Sequence, residues 1–166
     1  MKHIFKLFSI VPFLGCAVPT VDAVDQAEET VQIGLLLDGL HEAAANAQGE
    51  DYFNCFHEDG VFIGTDKTEY WTIDEFKAYA DPHFSKGTGW AYRSTERHIV
   101  VGPDGQSAWF YEKLVNDKYG DTRGSGALIK EEGRWQILQY VLSFSIPNAM
   151  AGDISAQIRQ ADSPEK

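Results

Sequence analysis

Four long strand-like runs in the second half of the chain constrain the fold more than any other feature. They read WAYRSTERHIVV, SAWFYEKLVND, TRGSGALIKEE and RWQILQYVLSFSI, with the β-branched and aromatic content that is typical of strands. Turn signals separate them at Gly102-Pro103-Asp104-Gly105, at Tyr119-Gly120-Asp121 and at Glu132-Gly133. Short turns between long strands predict antiparallel hairpins within one sheet.

The first half of the chain predicts helices. From Asp25 to Ala47 the apolar residues fall along one helical stripe, and Asp25 with Glu28 matches a capping box. A second, shorter helix is expected from Glu50 to about His57, followed by the β-like run GVFIG. The first strand of the sheet therefore follows two helices.

The segment GTDKTEYW, residues 64–71, joins that run to a further predicted helix. Thr72 can cap this helix while Glu75 reaches back to the Thr72 amide, and Trp71 can pack as a staple on Phe76. The segment therefore has two interpretations. It is either a rim of functional groups around a pocket or helix-start chemistry alone.

The order helix, helix, strand, helix and four strands predicts an α+β fold in which one curved antiparallel sheet packs on segregated helices. The 166 residues suit a single domain, which we place at residues 28–150. Residues 151–166, which include GDISAQIRQ, are expected to form a short C-terminal helix and a tail.

Residues 1–23 read as a secretory signal peptide. Lys2 and Lys6 precede an apolar run that is too short to span a bilayer, and cleavage after Ala23 fits the small-residue rule. The expected location is periplasmic or secreted. Alternatively, Cys16 follows a lipoprotein-like box and carries a lipid anchor, which would make the protein an envelope lipoprotein.

Charge and composition exclude several classes of partner and cofactor. The formal net charge of −11 argues against nucleic acid and anionic membrane as partners. Cys55 is the only cysteine after the signal, so the mature chain has no internal disulfide. The histidines show no metal-ligand spacing, and the chain has no phosphate-binding glycine loop. We therefore expect no metal and no cofactor.

The order of elements, together with NAQGEDYFNCFHEDGVFIGTD, RGSG and GRWQILQYVLSFSIPN, resembles the SnoaL-like branch of the nuclear transport factor 2-like superfamily over about residues 30–150. The resemblance implies a cone, in which a curved sheet wraps around a long helix and a pocket opens at one end. Members of the superfamily include ketosteroid isomerases, dehydratases, epoxide hydrolases, polyketide cyclases and proteins without known catalysis. The fold alone therefore does not decide the function.

The resemblance also implies candidate catalytic residues. His41 matches the position where the isomerases keep a phenol that donates to the substrate oxygen, and a histidine can also donate. Gly64 stands where they keep an aspartate base, and the nearest carboxylate is Asp66, two residues further on. On an extended strand two residues restore the same face, displaced by roughly 6–7 Å. The candidate donor and base are therefore His41 and Asp66.

A further carboxylate, Glu112, shares a strand face with Phe110, where a buried carboxylate needs a partner. Arg97 and Arg123 are the cations on neighbouring strands that can pair with it. On the inner face of the sheet such a pair would be a polar anchor for a ligand, and on the outer face it would be a cross-strand salt bridge.

Aromatic residues complete the candidate ligand-binding set. Trp71, Trp90 and Tyr140 offer surface for a flat apolar ligand, or they belong to the core. Glu69 either works together with Asp66 or is solvated.

Two hypotheses for the function follow. In the first, an exported domain binds a small, largely apolar molecule and catalyses proton transfer on it, as an isomerase, dehydratase or cyclase. In the second, a non-catalytic envelope protein uses the pocket or the sheet for ligand or subunit binding. In either case a homodimer through the sheet is expected from the resemblance.

Overall fold

A computed structural model describes residues 25–162 of the chain. The signal peptide and the Cys16 lipoprotein box predicted within residues 1–23 lie outside the described residues. The described part contains four helices and six strands. The helices are α1 Gln26–Ala45, α2 Gly49–Phe53, α3 Ile73–Phe84 and α4 Asn148–Ala161, and the strands are β1 Phe56–Ile63, β2 Tyr70–Thr72, β3 Arg93–Val101, β4 Ser107–Asn116, β5 Gly120–Glu131 and β6 Arg134–Phe144.

Helix α1 begins where its capping residue predicts. The Asp25 carboxylate accepts hydrogen bonds from the backbone N–H groups of Ala27 at 3.1 Å and Glu28 at 3.2 Å, which satisfies two amides that have no partner within the helix. The buried residues of α1 lie along one stripe: Ile33, Leu37, Leu40, Ala43 and Ala44. This stripe faces the sheet and forms the centre of the core.

The sheet is curved and unclosed, with the strand order β2-β1-β6-β5-β4-β3. Strands β3 to β6 pair as three antiparallel hairpins, as the turn signals predict. The first strand pairs in parallel with the last, with Phe62 opposite Tyr140. Along β4, Phe110 and Leu114 are buried, whereas Trp109 on the other face is 52% exposed. The α+β cone predicted from the sequence is confirmed.

The opening of α3 contains the predicted capping box and staple. The Glu75 amide donates to Thr72 Oγ1 at 3.3 Å, and the Thr72 amide donates to Glu75 Oε2 at 2.9 Å. The Trp71 ring stacks on Phe76, with centroids 5.5 Å apart. Helix-start chemistry therefore accounts for Trp71, Thr72 and Glu75.

Three elements differ from the sequence expectation. Helix α2 ends at Phe53 rather than near His57, because the following residues join β1, where Phe56 pairs with Ile137 of β6. The short strand β2 was not predicted; it pairs with the edge of β1, with Trp71 opposite Phe62. Helix α4 begins at Asn148 and is longer than expected, and none of its residues is buried.

Within residues 25–162, no helix is long and apolar enough to cross a membrane.

Candidate functional site

A cavity of about 190 Å³ opens between α3, the segment that precedes β3 and the inner face of the sheet. We call it the aromatic pocket. Its lining is mostly aromatic: Phe62, Gly64, Thr65, Glu69, Trp71, Phe76, Tyr79, Trp90, Tyr92, Tyr119 and Leu142. A dry cavity of about 150 Å³ accepts benzene. The aromatic pocket therefore has room for a single-ring molecule.

A second, smaller space of about 20 Å³ lies deeper, and we call it the inner cavity. Its own lining residues are Leu40, His41, Ala44, Tyr52 and Tyr140. It shares the four remaining wall residues with the aromatic pocket: Phe62, Trp90, Tyr92 and Leu142. His41 and Tyr140 therefore stand behind the same side chains that form the back of the aromatic pocket.

A buried ion-pair network holds His41. Its Nε2 lies 2.9 Å from Oε2 of Glu112, which is fully buried. The other oxygen of Glu112 accepts a hydrogen bond from Arg97 Nε at 2.7 Å, and Arg97 Nη1 donates to the Gly34 carbonyl at 2.9 Å. Arg97 Nη2 lies 2.8 Å from Asp38, although its hydrogens are not aligned for a hydrogen bond.

The register of the sheet produces this network. Arg97 on β3 stands directly opposite Glu112 on β4. Alternation along β4 turns Glu112 to the same face as the buried Phe110 and Leu114. The pair therefore lies on the inner face of the sheet. Of the two alternatives, this is the one in which the pair can act as a polar anchor for a ligand.

Arg123 does not join this network, so the expectation that it pairs with Glu112 is wrong. It stands opposite Lys113 in the register of β4 and β5, one residue away from Glu112 and therefore on the outer face. Its guanidinium lies 5.6 Å from the centroid of the Tyr111 ring, far from the aromatic pocket's lining.

The environment keeps Glu112 ionised. Burial raises the pKa of this carboxyl, but the hydrogen bond from His41 and the charge of Arg97 lower it more, and the net pKa is below its usual value. Because the carboxylate can only accept, His41 Nε2 carries the hydrogen. In the described part of the chain, His41 Nδ1 has no hydrogen-bond partner. In the neutral imidazole Nδ1 therefore carries the lone pair, and the Glu112 carboxylate can stabilise the imidazolium that forms when Nδ1 takes a proton.

The structure places Asp66 outside the pocket lining, contrary to the expectation that it would be the base. Asp66 is exposed, and its Oδ1 accepts hydrogen bonds from Thr68 N at 2.8 Å and Thr68 Oγ1 at 2.6 Å, as in an Asx-turn. These bonds hold the pKa of Asp66 below its usual value. This carboxylate therefore shapes the turn between β1 and β2.

Glu69 takes the place in the pocket that was expected for Asp66. It is partly buried and lines the aromatic pocket, and its Oε2 accepts a hydrogen bond from the Asp66 amide at 3.0 Å. A Cβ built on Gly64 would overlap Glu69 Oε2, so a side chain at position 64 is incompatible with this arrangement. The glycine at the expected base position thus makes room for a carboxylate from across the turn.

The predicted aromatic residues are divided between the two spaces. Trp71 lines the aromatic pocket, Trp90 lines both spaces, and Tyr140 lines the inner cavity. Burial, followed by the charge of Glu112, raises the pKa of Tyr140 well above its usual value. Sequence reasoning missed Tyr92, Tyr119 and other lining residues, since nothing distinguishes them from core aromatics until the sheet is assembled.

Within residues 25–162, no three His, Cys, Asp or Glu side chains are grouped so that they could hold a metal ion.

Comparison with known proteins identifies the family. The profile of the SnoaL-like domain matches residues 33–147, most of the described chain, and the protein therefore belongs to the SnoaL-like family. A search of curated proteins gave no match.

Solved structures confirm the fold at low sequence identity. A protein of unknown function from Mycobacterium tuberculosis is 20% identical, with a TM-score of 0.63 over 76% of this chain and 77% of that one. A candidate scytalone dehydratase from Novosphingobium aromaticivorans is 13% identical, with a TM-score of 0.61 over 72% and 86% of the two chains. A candidate aromatic ring hydroxylase from the same organism is 16% identical, with a TM-score of 0.61 over 73% and 92%.

Proposed function

We propose that this SnoaL-like domain binds a small, largely apolar single-ring molecule in the aromatic pocket and moves a proton on it with His41. One observation carries the proposal: the imidazole that lines the inner cavity is held at Nε2 by a fully buried, ionised Glu112. A buried carboxylate that orients an imidazole is an arrangement suited to acid–base chemistry. The pocket volume suits a ligand of about one ring.

The proposed chemistry uses two groups of the inner cavity. The reacting end of the bound molecule passes the shared residues into the inner cavity, where Nδ1 of His41 takes a proton from it, and Glu112 offsets the charge that forms on the imidazole. The same nitrogen then returns the proton to a neighbouring atom or to a leaving hydroxyl. Tyr140, which stays protonated because burial raises its pKa, donates a hydrogen bond to a ligand oxygen. Isomerisation, dehydration and cyclisation all require such a transfer.

Binding is tested with benzyl alcohol, a neutral single-ring probe, by ligand-detected NMR. Leu142→Trp fills both spaces, because Leu142 lines both, and it should abolish binding. Val141→Trp is the matched control, since its side chain alternates to the other face of β6. Equal binding by both variants would show that the ligand sits elsewhere.

Proton transfer is tested with cyclohex-3-enone, whose isomerisation to the conjugated enone is followed by ultraviolet absorption. His41→Gln should slow the reaction about 100-fold or more, which is the usual contribution of a positioned acid–base group. Glu112 is a positioning residue, so Glu112→Gln should change the pH profile, and Glu112→Asp should restore part of it. Binding without any acceleration by the wild-type protein would instead favour a non-catalytic binding protein.

A second candidate role is homodimerisation through the sheet. On the outer face Val100 and Trp109 stand opposite each other in β3 and β4 and are 45% and 52% exposed. An apolar pair of this kind on an open sheet suits a subunit contact. Sedimentation should give a dimer for the wild type and a monomer for Trp109→Asp. A wild-type monomer at micromolar concentration would contradict this role.

We also propose that the protein is exported, because residues 1–23 read as a signal. Mass spectrometry of the mature protein distinguishes the two forms: cleavage after Ala23 gives an unmodified chain, whereas anchoring gives an acylated Cys16. A cytoplasmic protein that keeps residue 1 would contradict export.

A further inference from the structure

Of the described residues that line the aromatic pocket, Glu69 alone is charged. All its neighbours in the lining are aromatic, small or aliphatic. Within residues 25–162 it forms no ion pair with a Lys, Arg or His. A partly buried carboxylate without a cation is costly once a ligand displaces the water around it. A ligand that carries a positive charge could therefore supply the partner that the Glu69 carboxylate lacks.

The Glu69 carboxylate is held in place by its surroundings. The Gly64 amide donates to the Glu69 carbonyl at 3.0 Å, which fixes the backbone across the β1–β2 turn. The Asp66 amide donates to Oε2, and the bare face of Gly64 leaves space for that oxygen. In the described part of the chain Oε1 has no hydrogen-bond partner. One carboxylate oxygen thus remains available while the other is anchored.

The aromatic rings around this carboxylate also favour a cation. The face of an indole or a phenol attracts positive charge, and tryptophan does so most strongly. Trp71, Trp90 and Tyr92 share the lining with Glu69. Burial and the neighbouring Tyr119 and Glu69 raise the pKa of the Tyr92 phenol, so it stays neutral.

One cation of the protein already lies near this region. Nζ of Lys118 stands 4.7 Å from the centroid of the Tyr119 ring. Lys118 does not line the aromatic pocket, and it forms no ion pair with Glu69 among the described residues. Lys118 therefore occupies one face of the Tyr119 ring. Trp71 stacks on Tyr79 and Trp90 packs on Phe84, so a ligand cation would meet the part of these two rings that lines the pocket, together with Tyr92.

We propose that the aromatic pocket selects molecules that carry an organic ammonium group on an apolar single-ring body. Glu69 is the counter-ion, and Trp71, Trp90 and Tyr92 supply the ring faces. This inference rests on the proposed function, because it assumes that the aromatic pocket is where the ligand binds. A neutral ligand of the same shape would bury the Glu69 carboxylate without a partner and would bind more weakly.

The test compares benzylammonium with benzyl alcohol, which differ chiefly in charge, by calorimetry on the full-length protein at pH 7. Benzylammonium should bind at least about 10-fold more tightly, which corresponds to a gain of about 1.4 kcal/mol. Glu69→Gln, which keeps an acceptor for the Asp66 amide, should remove this preference: benzylammonium should bind more weakly than to the wild type, and benzyl alcohol should bind at least as tightly, because no carboxylate is then buried without a partner. Glu42→Gln is the matched control: Glu42 is exposed on α1 and outside the lining, and the substitution changes the net charge equally.

The outcomes separate the two proposals. Binding of both probes with equal affinity would overturn the cation assignment and leave the binding pocket in place. Failure of both probes to bind would overturn the cation assignment together with the proposed function. A preference that survives in Glu69→Gln, or disappears in Glu42→Gln, would show that the net charge of the protein, rather than Glu69, attracts the cation.

Discussion

Replacing Glu112 with glutamine tests the buried network most directly. The side chain is fully buried, and its partners His41 and Arg97 are only 13% and 15% exposed. Removing one charge from such a pair leaves the other charge buried, which costs about 3–5 kcal/mol. Glutamine can still accept a hydrogen bond from Arg97, so we expect the lower end, about 3 kcal/mol at pH 7. Urea denaturation followed by circular dichroism measures this loss.

The pH dependence supplies an independent check. The pKa of Glu112 is lower in the folded protein than its usual value of 4.5, so its contribution is present above pH 4.5. That contribution is lost as the pH falls through 4.5 toward the folded-state pKa. The stability difference between wild type and Glu112→Gln should therefore shrink in this acid range.

A double substitution tests whether the loss of stability comes from the charge of Arg97 that is left unpaired. In Glu112→Leu with Arg97→Met, no charge of the pair stays buried, and the protein should regain most of the stability lost by Glu112→Leu alone. A loss below about 1 kcal/mol for Glu112→Gln at pH 7 would refute the assigned role of the network, because a buried charge left unpaired costs more than that. Strictly additive effects of the two substitutions would refute it as well.

Three further predictions concern residues outside this network. Thr72→Ala should cost about 1 kcal/mol of stability in urea denaturation, whereas Thr72→Ser should cost little because it keeps the cap; equal losses would contradict the capping box. The hydrogen bonds from Lys130 and Trp135 lower the pKa of Glu29, so wild type should lose stability as the pH falls through 4.5 and below, and Glu29→Gln should show a shallower dependence; parallel pH curves would contradict this. Burial raises the pKa of Cys55 to about 11, so in a Cys16→Ser chain a thiol reagent at pH 8 should react much more slowly with folded than with urea-unfolded protein; equal rates would show that the thiol is accessible.

The sheet and the α3 cap were predictable because their signals are local. Turn residues mark each hairpin of β3 to β6, and the Thr72–Glu75 spacing sets the start of α3. The end of α2 was not predictable, because helical propensity gives way to a pairing with β6 far along the chain. Phe56 opposite Ile137 is a contact that no local pattern encodes.

Most residues of the candidate site were predictable from the sequence, but the faces on which they lie were not. His41, Arg97 and Glu112 were all named from the sequence, but their shared inner face depends on the register of β3 and β4. Arg123 was misassigned because one residue of register reverses its face. The sequence favours Asp66 as the base because it is the carboxylate nearest to Gly64 along the chain. The turn geometry and the space above Gly64 instead bring Glu69 into the pocket.

The parallel pairing of β1 with β6 can form only late in synthesis of the chain. During synthesis β1 leaves the ribosome early and has only β2 as a partner until the last strand appears, since β6 is its other neighbour. Such long-range pairing slows folding and leaves an open strand edge exposed in the nascent chain. Tyr140 and Leu142 also lie on β6, so the walls of both cavities are completed by the same late event. A ribosome-bound chain that stops before Arg134 should therefore depend on chaperones and should bind no ligand.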